Sequence, residues 1–458
     1  MRHKIRHIHF VGIGGAGMCG LAEVMQSLGY AVSGSDTREQ PSLVRLRAAG
    51  VTVFVGHAAS HADNADCVVY SGAVPTDNPE RIAAAARGVP VIPRAQMLGE
   101  VLRFKPGIAV AGTHGKTTVS SMLAAILTAD GRAPTCIIGG LLQGNDNAHI
   151  GGGEFTVVEA DESDASFLHL QPVAAVITNI DNDHLPAFGG DMAELQKAFA
   201  GFVANLPFYG AAIICIDSPP AATLAAELSA VRVTTYGFAE TADVRVIDVR
   251  TINASTHFTL NLPEGTQSIE LRVAGRHNAQ NAAGACAAAR ELGVEAPAMA
   301  AGLHNFSGVG RRLETHGALT INSGTALLID DYAHHPTEIT ATLETLRDAY
   351  PGRRILLAFQ PHRYTRTRDV FTALVDSLSL ADVVVLLDVY PAGEKPIAGA
   401  DSAALTKVLQ TRGTMVHPVP DLSAAQKIVH RYAKDNDVVM TMGAGNVGAL
   451  PKLLLEAS

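Results

Sequence analysis

AGTHGKTT, running from Ala111 to Thr118, decides how this chain is read. The apolar run IAVAG leads into it and VSSMLAAIL follows, so strand, glycine-bearing loop and helix are expected in that order. At such a junction the first N–H groups of the helix lack carbonyl partners and the helix dipole adds positive potential, which suits a phosphate chain. The strict phosphate-loop spacing asks for a glycine where Val110 stands; Gly112 lies closer in. The reading assigns the triphosphate to Gly112, Thr113, His114 and Gly115, with Thr118 in the first helical turn. Lys116 is expected to neutralise the terminal phosphate and Thr117 to reach a magnesium ion. ATP is the natural occupant; the alternative is a chance Gly-Lys-Thr turn.

The next strand ends in VVEADESDAS, which sets Glu159, Asp161, Glu162 and Asp164 beyond an apolar run. Alternation points Glu159 and Asp161 to one face, as ligands for a divalent cation, although a solvated acidic loop would look the same. His184, in the DNDH that follows AAVITNI, is a further candidate ligand.

Upstream, GIGGAG at Gly12 to Gly17 also follows a strand and opens a helix, with Asp36 about twenty residues on. It reads as a nucleotide or nucleotide-sugar site, or as a structural tight turn. His57, Ser71 and Arg94 fall near strand ends, where ligands of parallel sheets gather, but each reads equally as a surface loop residue.

Short apolar runs alternate with helical stretches over residues 7–104, RFKPG interrupts at Arg103 to Gly107, and the pattern restarts at Ile108. After FSGVGRR the runs ALLIDDY, RILLAF, DVVVLLDVY and DVVMTMG alternate with helices again. The expected fold is α/β in three domains. They are an N-terminal Rossmann-like parallel sheet (1–104), a central P-loop-type mixed α/β ATPase domain (105–310) and a C-terminal Rossmann-like domain (311–458). Lys105–Gly107 and Gly308–Arg311 are the expected hinges.

With 458 residues, 47% hydrophobic and 17% charged, the composition is that of a globular chain. Its net charge of -9 carries no basic block, which argues against nucleic acid as a partner. Cys19, Cys67, Cys136, Cys215 and Cys286 form no CxxC pair, so neither a disulfide framework nor a zinc knuckle is indicated. No apolar run is long enough to cross a bilayer, and the expected location is cytoplasmic.

Taken in order, GIGGAGM, GTHGKTT, EADESD, NIDNDH, GRHNAQN, GVGRRLE, DDYAHHP and FQPHRYTRT closely resemble the Mur ligases across the whole chain. The resemblance implies that the first unit binds the UDP of a UDP-N-acetylmuramate substrate and the second binds ATP. L-Alanine would be joined to the lactyl carboxylate through an acyl phosphate. It carries UDP-sugar contacts onto Gly12, Gly14, Gly15, Ala16, Gly17, His57, Ser71 and Arg94, with Asp36 beside them. It carries nucleotide contacts onto His277, Asn278, Asn281, Arg312 and Asp331, places Tyr332, His334 and His335 near the nucleotide, and leaves Tyr332 also as an amino-acid contact. His362, Arg363 and Arg366 would hold the amino-acid carboxylate, to which an arginine fork is matched. The implied cofactors are ATP and Mg2+, with Mn2+ as a substitute, the metal sitting on Thr117, Glu159 and His184. The catalytic set is Lys116, Glu159, His184, Arg363 and Arg366, in a monomer or homodimer. Cys19 departs from the family's usual serine, and no carbamylated lysine is assigned, although Lys197 is near. Three rivals stay open: a ligase adding a ready-made peptide to the same sugar, a nicotinamide oxidoreductase that leaves GKTT unused, and an ATP-driven switch.

Overall fold

The computed structural model describes residues 4–142, 146–183, 185–321 and 324–456. The first sheet contains β1 (His7–Val11), β2 (Ala31–Asp36), β3 (Thr52–Val55), β4 (Cys67–Tyr70) and β5 (Val91–Pro93), in the order β3-β2-β1-β4-β5. All its pairings are parallel. The order reverses at β1, so the crevice beyond the carboxyl end of β1 opens where the glycine loop begins.

The second sheet holds β6 (Gly107–Ala111), β7 (Thr135–Leu142), β8 (Asp146–His149), β9 (Thr156–Glu159), β10 (Ala174–Ile177), β11 (Ala211–Cys215) and β12 (Arg232–Gly237). These run β12-β11-β10-β6-β9-β7-β8, parallel except for the hairpin of β7 and β8. That hairpin is absent from the sequence reading. Beyond β12 the sheet continues with β13 (Val244–Ile252), β14 (Ser255–Leu262) and β15 (Gly265–Leu271). Helix Lys116–Ala129 is buried on nearly every side, because it lies on this sheet and also against helix Ala296–Asn305. That explains why small and apolar residues surround its axis beyond the first turn rather than forming one stripe.

The third sheet holds β16 (Glu314–Ile321), β17 (Gly324–Asp331), β18 (Ile355–Phe359), β19 (Val383–Leu387), β20 (Met415–Val419) and β21 (Val438–Met442), in the order β16-β17-β21-β18-β19-β20. Only β16 runs antiparallel to its neighbour. Strands β18, β19 and β21 are buried throughout, so the continuous runs ILLAF, VVVLL and VVMTM have apolar neighbours on both faces. Each fully buried Leu, Ile or Val there contributes about 1.5–3 kcal/mol. Proline at the first helical position starts helices at Pro41, Pro79, Pro219 and Pro336, where its missing N–H costs no hydrogen bond.

The chain condenses into two compact units. One comprises residues 1–247, 260–267 and 280–305; the other comprises 248–259, 268–279 and 306–458, so the division passes through β13, β14, β15 and the helix Arg276–Glu291. Among the described residues no helix is long and apolar enough to cross a membrane.

Candidate active site

The loop after β1 is held from beneath by β2: Gly12 and Ile13 both donate their N–H to the Ser35 carbonyl, at 2.8 and 3.0 Å. Asp36 turns inward, its Oδ2 accepting the Gly14 N–H at 2.9 Å, so this carboxylate shapes the loop. A Cβ at Gly14 would meet the ends of the Gln40 and Asp36 side chains, so a larger residue there would push both aside. Ser71 lies against Gly12, and Arg94 reaches Gly17, its Nη1 3.2 Å from where a Cβ would stand. Among the described residues Arg94 takes no hydrogen bond, leaving its donors for an anion at the start of helix Ala16–Ser27. Cys19 is buried in that helix with Sγ 3.5 Å from Arg45 Nη2, and burial pushes its thiol pKa up. It packs as a small neutral side chain.

At the second loop, Gly112 adopts φ +126°, and a Cβ there would lie 2.2 Å from Thr178 Oγ1. Asn179 and Asp181 brace the turn. Thr113 and His114 donate their N–H groups to the Asn179 backbone and side-chain oxygens at 3.1 and 2.9 Å, and the Asp181 N–H donates to Thr113 Oγ1 at 2.9 Å. Asn281 stands over Gly115, Oδ1 2.6 Å from a built Cβ, which brings this expected nucleotide residue to the loop.

Lys116 folds back into its own loop. Nζ donates to the Gly112 and Thr113 carbonyls at 2.7 and 3.2 Å and to both oxygens of Glu162 at 2.9 and 2.8 Å. Burial opposes the ammonium charge, but Glu162, Glu159 and Asp161 outweigh it and hold the Lys116 pKa above its ordinary value. Glu162 is 1% exposed; burial pushes its carboxyl up to about 7, and Lys116 offsets only part of that. Asp161 is held low: burial raises it, but Lys116, the Ser163 N–H and Arg94 prevail. Thr117 Oγ1 donates to Glu159 at 3.1–3.2 Å, and the Gly139 N–H donates to Glu159 Oε2 at 2.7 Å. Among the described residues, Glu159 thus has a hydroxyl and a backbone N–H as hydrogen-bond partners but no hydrogen-bonded cation. In the sequence Glu162 is one member of an acidic run, and no motif spacing marks Asn179 or Asp181. His184 lies outside the described residues, and the Lys197 side chain is exposed and paired with Glu194.

In the other unit, Asp331 at the end of β17 is 4% exposed and accepts the N–H groups of Ala333 and Leu313 at 2.7 and 2.8 Å. Burial pushes its carboxyl up to about 6 against the pull of Arg312. His277 is held near 4 by burial first and by Arg312 second, so it is neutral at physiological pH. Asn278 donates to the Ala274 carbonyl at 2.7 Å. Arg312 lies over the Tyr332 ring, 5.3 Å from its centroid. Beyond β18, Arg363 sits at φ +69°, rare for a side chain of this size, pinned by its N–H to the Tyr390 carbonyl at 2.9 Å. Arg366 Nη1 lies 3.3 Å from His362 Nδ1, and the His362 ring stacks on Tyr390 with centroids 5.6 Å apart. His362 and Arg366 therefore meet side by side, with Arg363 between them in the chain.

Three family models match consecutive stretches: the Mur ligase family catalytic domain over residues 7–106, the Mur ligase middle domain over 110–289, and the Mur ligase glutamate ligase domain over 311–445. The chain belongs to the Mur ligase family. As a Mur ligase it is an ATP-dependent, amide-bond-forming enzyme. The UDP-N-acetylmuramate--L-alanine ligase of Variovorax paradoxus is 50% identical over all of this chain and 96% of its own length. That of a Janthinobacterium species is 49% identical over all of both chains. Among solved structures, the UDP-N-acetylmuramate-alanine ligase of Thermotoga maritima covers 98% of each chain at 28% identity and a TM-score of 0.82. A murein peptide ligase from Psychrobacter arcticus covers 99% and 98% at 26% identity and a TM-score of 0.70. For this Mur ligase the α/β architecture of successive sheets stands as the sequence reading expected it.

Proposed function

We propose that this chain joins L-alanine to the lactyl carboxylate of UDP-N-acetylmuramate, consuming ATP and releasing ADP and phosphate. The observation that carries the proposal is the presence of two glycine loops at strand–helix junctions of two different sheets, only one of which holds a lysine. The lysine-free loop, with Arg94 beside it, takes the UDP moiety; the Lys116 loop takes ATP. In this reading the working segments are 1–104 for the sugar nucleotide, 105–310 for ATP and 311–458 for the amino acid.

The carboxylate attacks the γ-phosphorus and ADP leaves, giving an acyl phosphate. The amine of L-alanine then attacks the acyl carbon and phosphate departs with one carboxyl oxygen. Lys116 exchanges its Glu162 and carbonyl partners for phosphate oxygens and meets the charge that builds during transfer; this is positioning and electrostatics. Arg363 and Arg366 hold the alanine carboxylate and so aim its amine.

Magnesium fits the residues beside Lys116. Thr117 and Glu159 offer hard oxygen donors about a hydrogen bond apart, and among the described residues Glu159 has no hydrogen-bonded cation of its own. Those two residues would hold Mg2+ or Mn2+, which supplies charge neutralisation on the phosphates; His184 is carried by the family resemblance alone. The expected setting is the cytoplasm, with small-molecule substrates and no nucleic acid. The test is ADP release with UDP-N-acetylmuramate and each amino acid, or a ready-made tripeptide, in turn. L-Alanine should give the highest kcat/KM, and preference for the tripeptide would overturn the reading.

A further inference from the structure

Glu80 belongs to none of the groups above, yet it is fully buried near the start of helix Pro79–Ala86. Its Oε2 accepts from Ser35 Oγ at 2.6 Å and lies 3.3 Å from His9 Nε2; its Oε1 lies 3.0 Å from His61 Nδ1 and accepts the Ala58 N–H at 3.2 Å. Burial alone would raise its pKa, but the hydrogen bonds of His9, Ser35 and His61 outweigh that and hold it down at about 2. A permanently ionised carboxylate with only donors around it dictates where their hydrogens lie. Ser35 must give its one hydroxyl hydrogen to Glu80, so the Ser35 oxygen can only accept from the other group it meets, His57 Nδ1 at 3.0 Å. Glu80 Oε1, at 3.4 Å from the same Nδ1, asks for the same proton. Neutral His57 is therefore the Nδ1–H tautomer, assigned from the network, and its Nε2 is a bare acceptor. Nε2 takes no hydrogen bond from the described residues, and the side chain is 19% exposed.

We infer that Glu80, through Ser35, is a positioning residue that fixes His57 as an acceptor for the N3–H of the uracil ring. The inference rests on the reading that the first glycine loop takes UDP. A bare Nε2 has no use for a phosphate oxygen, which carries no hydrogen. Its place suits the base: His57 follows β3, two strands from the β1 loop, about 10 Å away at ordinary strand spacing and comparable to the span from diphosphate to base. Uracil carries a hydrogen at N3 and cytosine carries none, so the same arrangement selects between them.

The test measures UDP and CDP binding by calorimetry, and steady-state kinetics, for wild type, Glu80→Gln, Ser35→Ala, His57→Gln and the Glu80→Gln/His57→Gln double variant. Wild type should bind UDP about tenfold or more tighter than CDP, the scale of one hydrogen bond lost with its partner left unpaired. Glu80→Gln and Ser35→Ala should each raise KM for the UDP-sugar about tenfold, with kcat and the KM for ATP within about twofold, and narrow the UDP/CDP ratio. The double variant should be no worse than His57→Gln alone, because Glu80 acts through His57. Nitrogen NMR should find His57 Nδ1 protonated in wild type and the signal shifted in both positioning variants. If wild type fails to bind UDP, the underlying reading falls. If wild type binds UDP but His57→Gln keeps full affinity and discrimination, or if the effects of Glu80→Gln and His57→Gln add, the present inference falls alone. Ser35→Ala keeps the test decisive should Glu80→Gln fold poorly.

Discussion

Replacing Lys116 with methionine preserves most of the volume of the side chain and removes its charge, so it separates chemistry from packing. The ammonium is the donor closest to the loop carbonyls of Gly112 and Thr113 and is placed to meet the transferring phosphoryl group. Loss of one such preorganised donor costs about 10²–10³ in kcat. Stability should fall less than for a typical buried ion pair, where stranding a charge costs about 3–5 kcal/mol. Glu162 already titrates at about 7, so without Lys116 it takes up a proton at neutral pH. Protonating at pH 7 a carboxyl whose ordinary value is 4.5 costs about 1.4 kcal/mol per unit, which limits the penalty to about 3 kcal/mol. Heating curves should then shift by several degrees, at about 2–4 °C per kcal/mol. UDP binding, measured by calorimetry, should stay within about twofold, because the GIGGAG loop belongs to another sheet. Turnover within tenfold of wild type, or loss of UDP binding together with turnover, would refute the assignment of Lys116 to ATP alone.

Three further outcomes follow from the same geometry. Gly112→Ala forces a Cβ to 2.2 Å from Thr178 Oγ1 at φ +126°, so it should lower stability by about 2–4 kcal/mol, checked by the denaturant midpoint, and abolish ATP turnover. Asp331 titrates at about 6 when folded against an ordinary 3.8. Its contribution is fully present below about pH 4 and is lost as pH rises to 6, about 3 kcal/mol in all. Asp331→Asn should flatten that slope in the melting temperature measured against pH. Arg366→Lys keeps the charge but loses the planar fork, so KM for L-alanine should rise about tenfold or more while KM for ATP holds, measured by ADP release.

The two loops were legible because each sits between an apolar strand and an apolar helix, and at Gly112 the glycine has a physical cause in its positive φ and the nearby Asn179 backbone. The β7–β8 hairpin was not, since TCIIGGLL carries two glycines and no period-two pattern. Partnerships across the fold were hidden for a different reason. EADESD offers four carboxylates, and only the course of the chain beyond the end of β9 decides that Glu162 meets Lys116 while Glu159 meets Thr117. Glu80 in NPERIAAAA reads as a solvated acid in a first helical turn; its burial depends on His9, Ser35 and His61, which are far from it in sequence. His57 was found as a candidate, but its tautomer could not be, because the group that sets it is on another element.

The most direct test of the ligase chemistry uses UDP-N-acetylmuramate with both lactyl carboxyl oxygens labelled with 18O, incubated with ATP and L-alanine. Passage through an acyl phosphate predicts ADP and an inorganic phosphate carrying one 18O atom, with the other left in the amide. Phosphate free of label, or AMP as the nucleotide product, would contradict it.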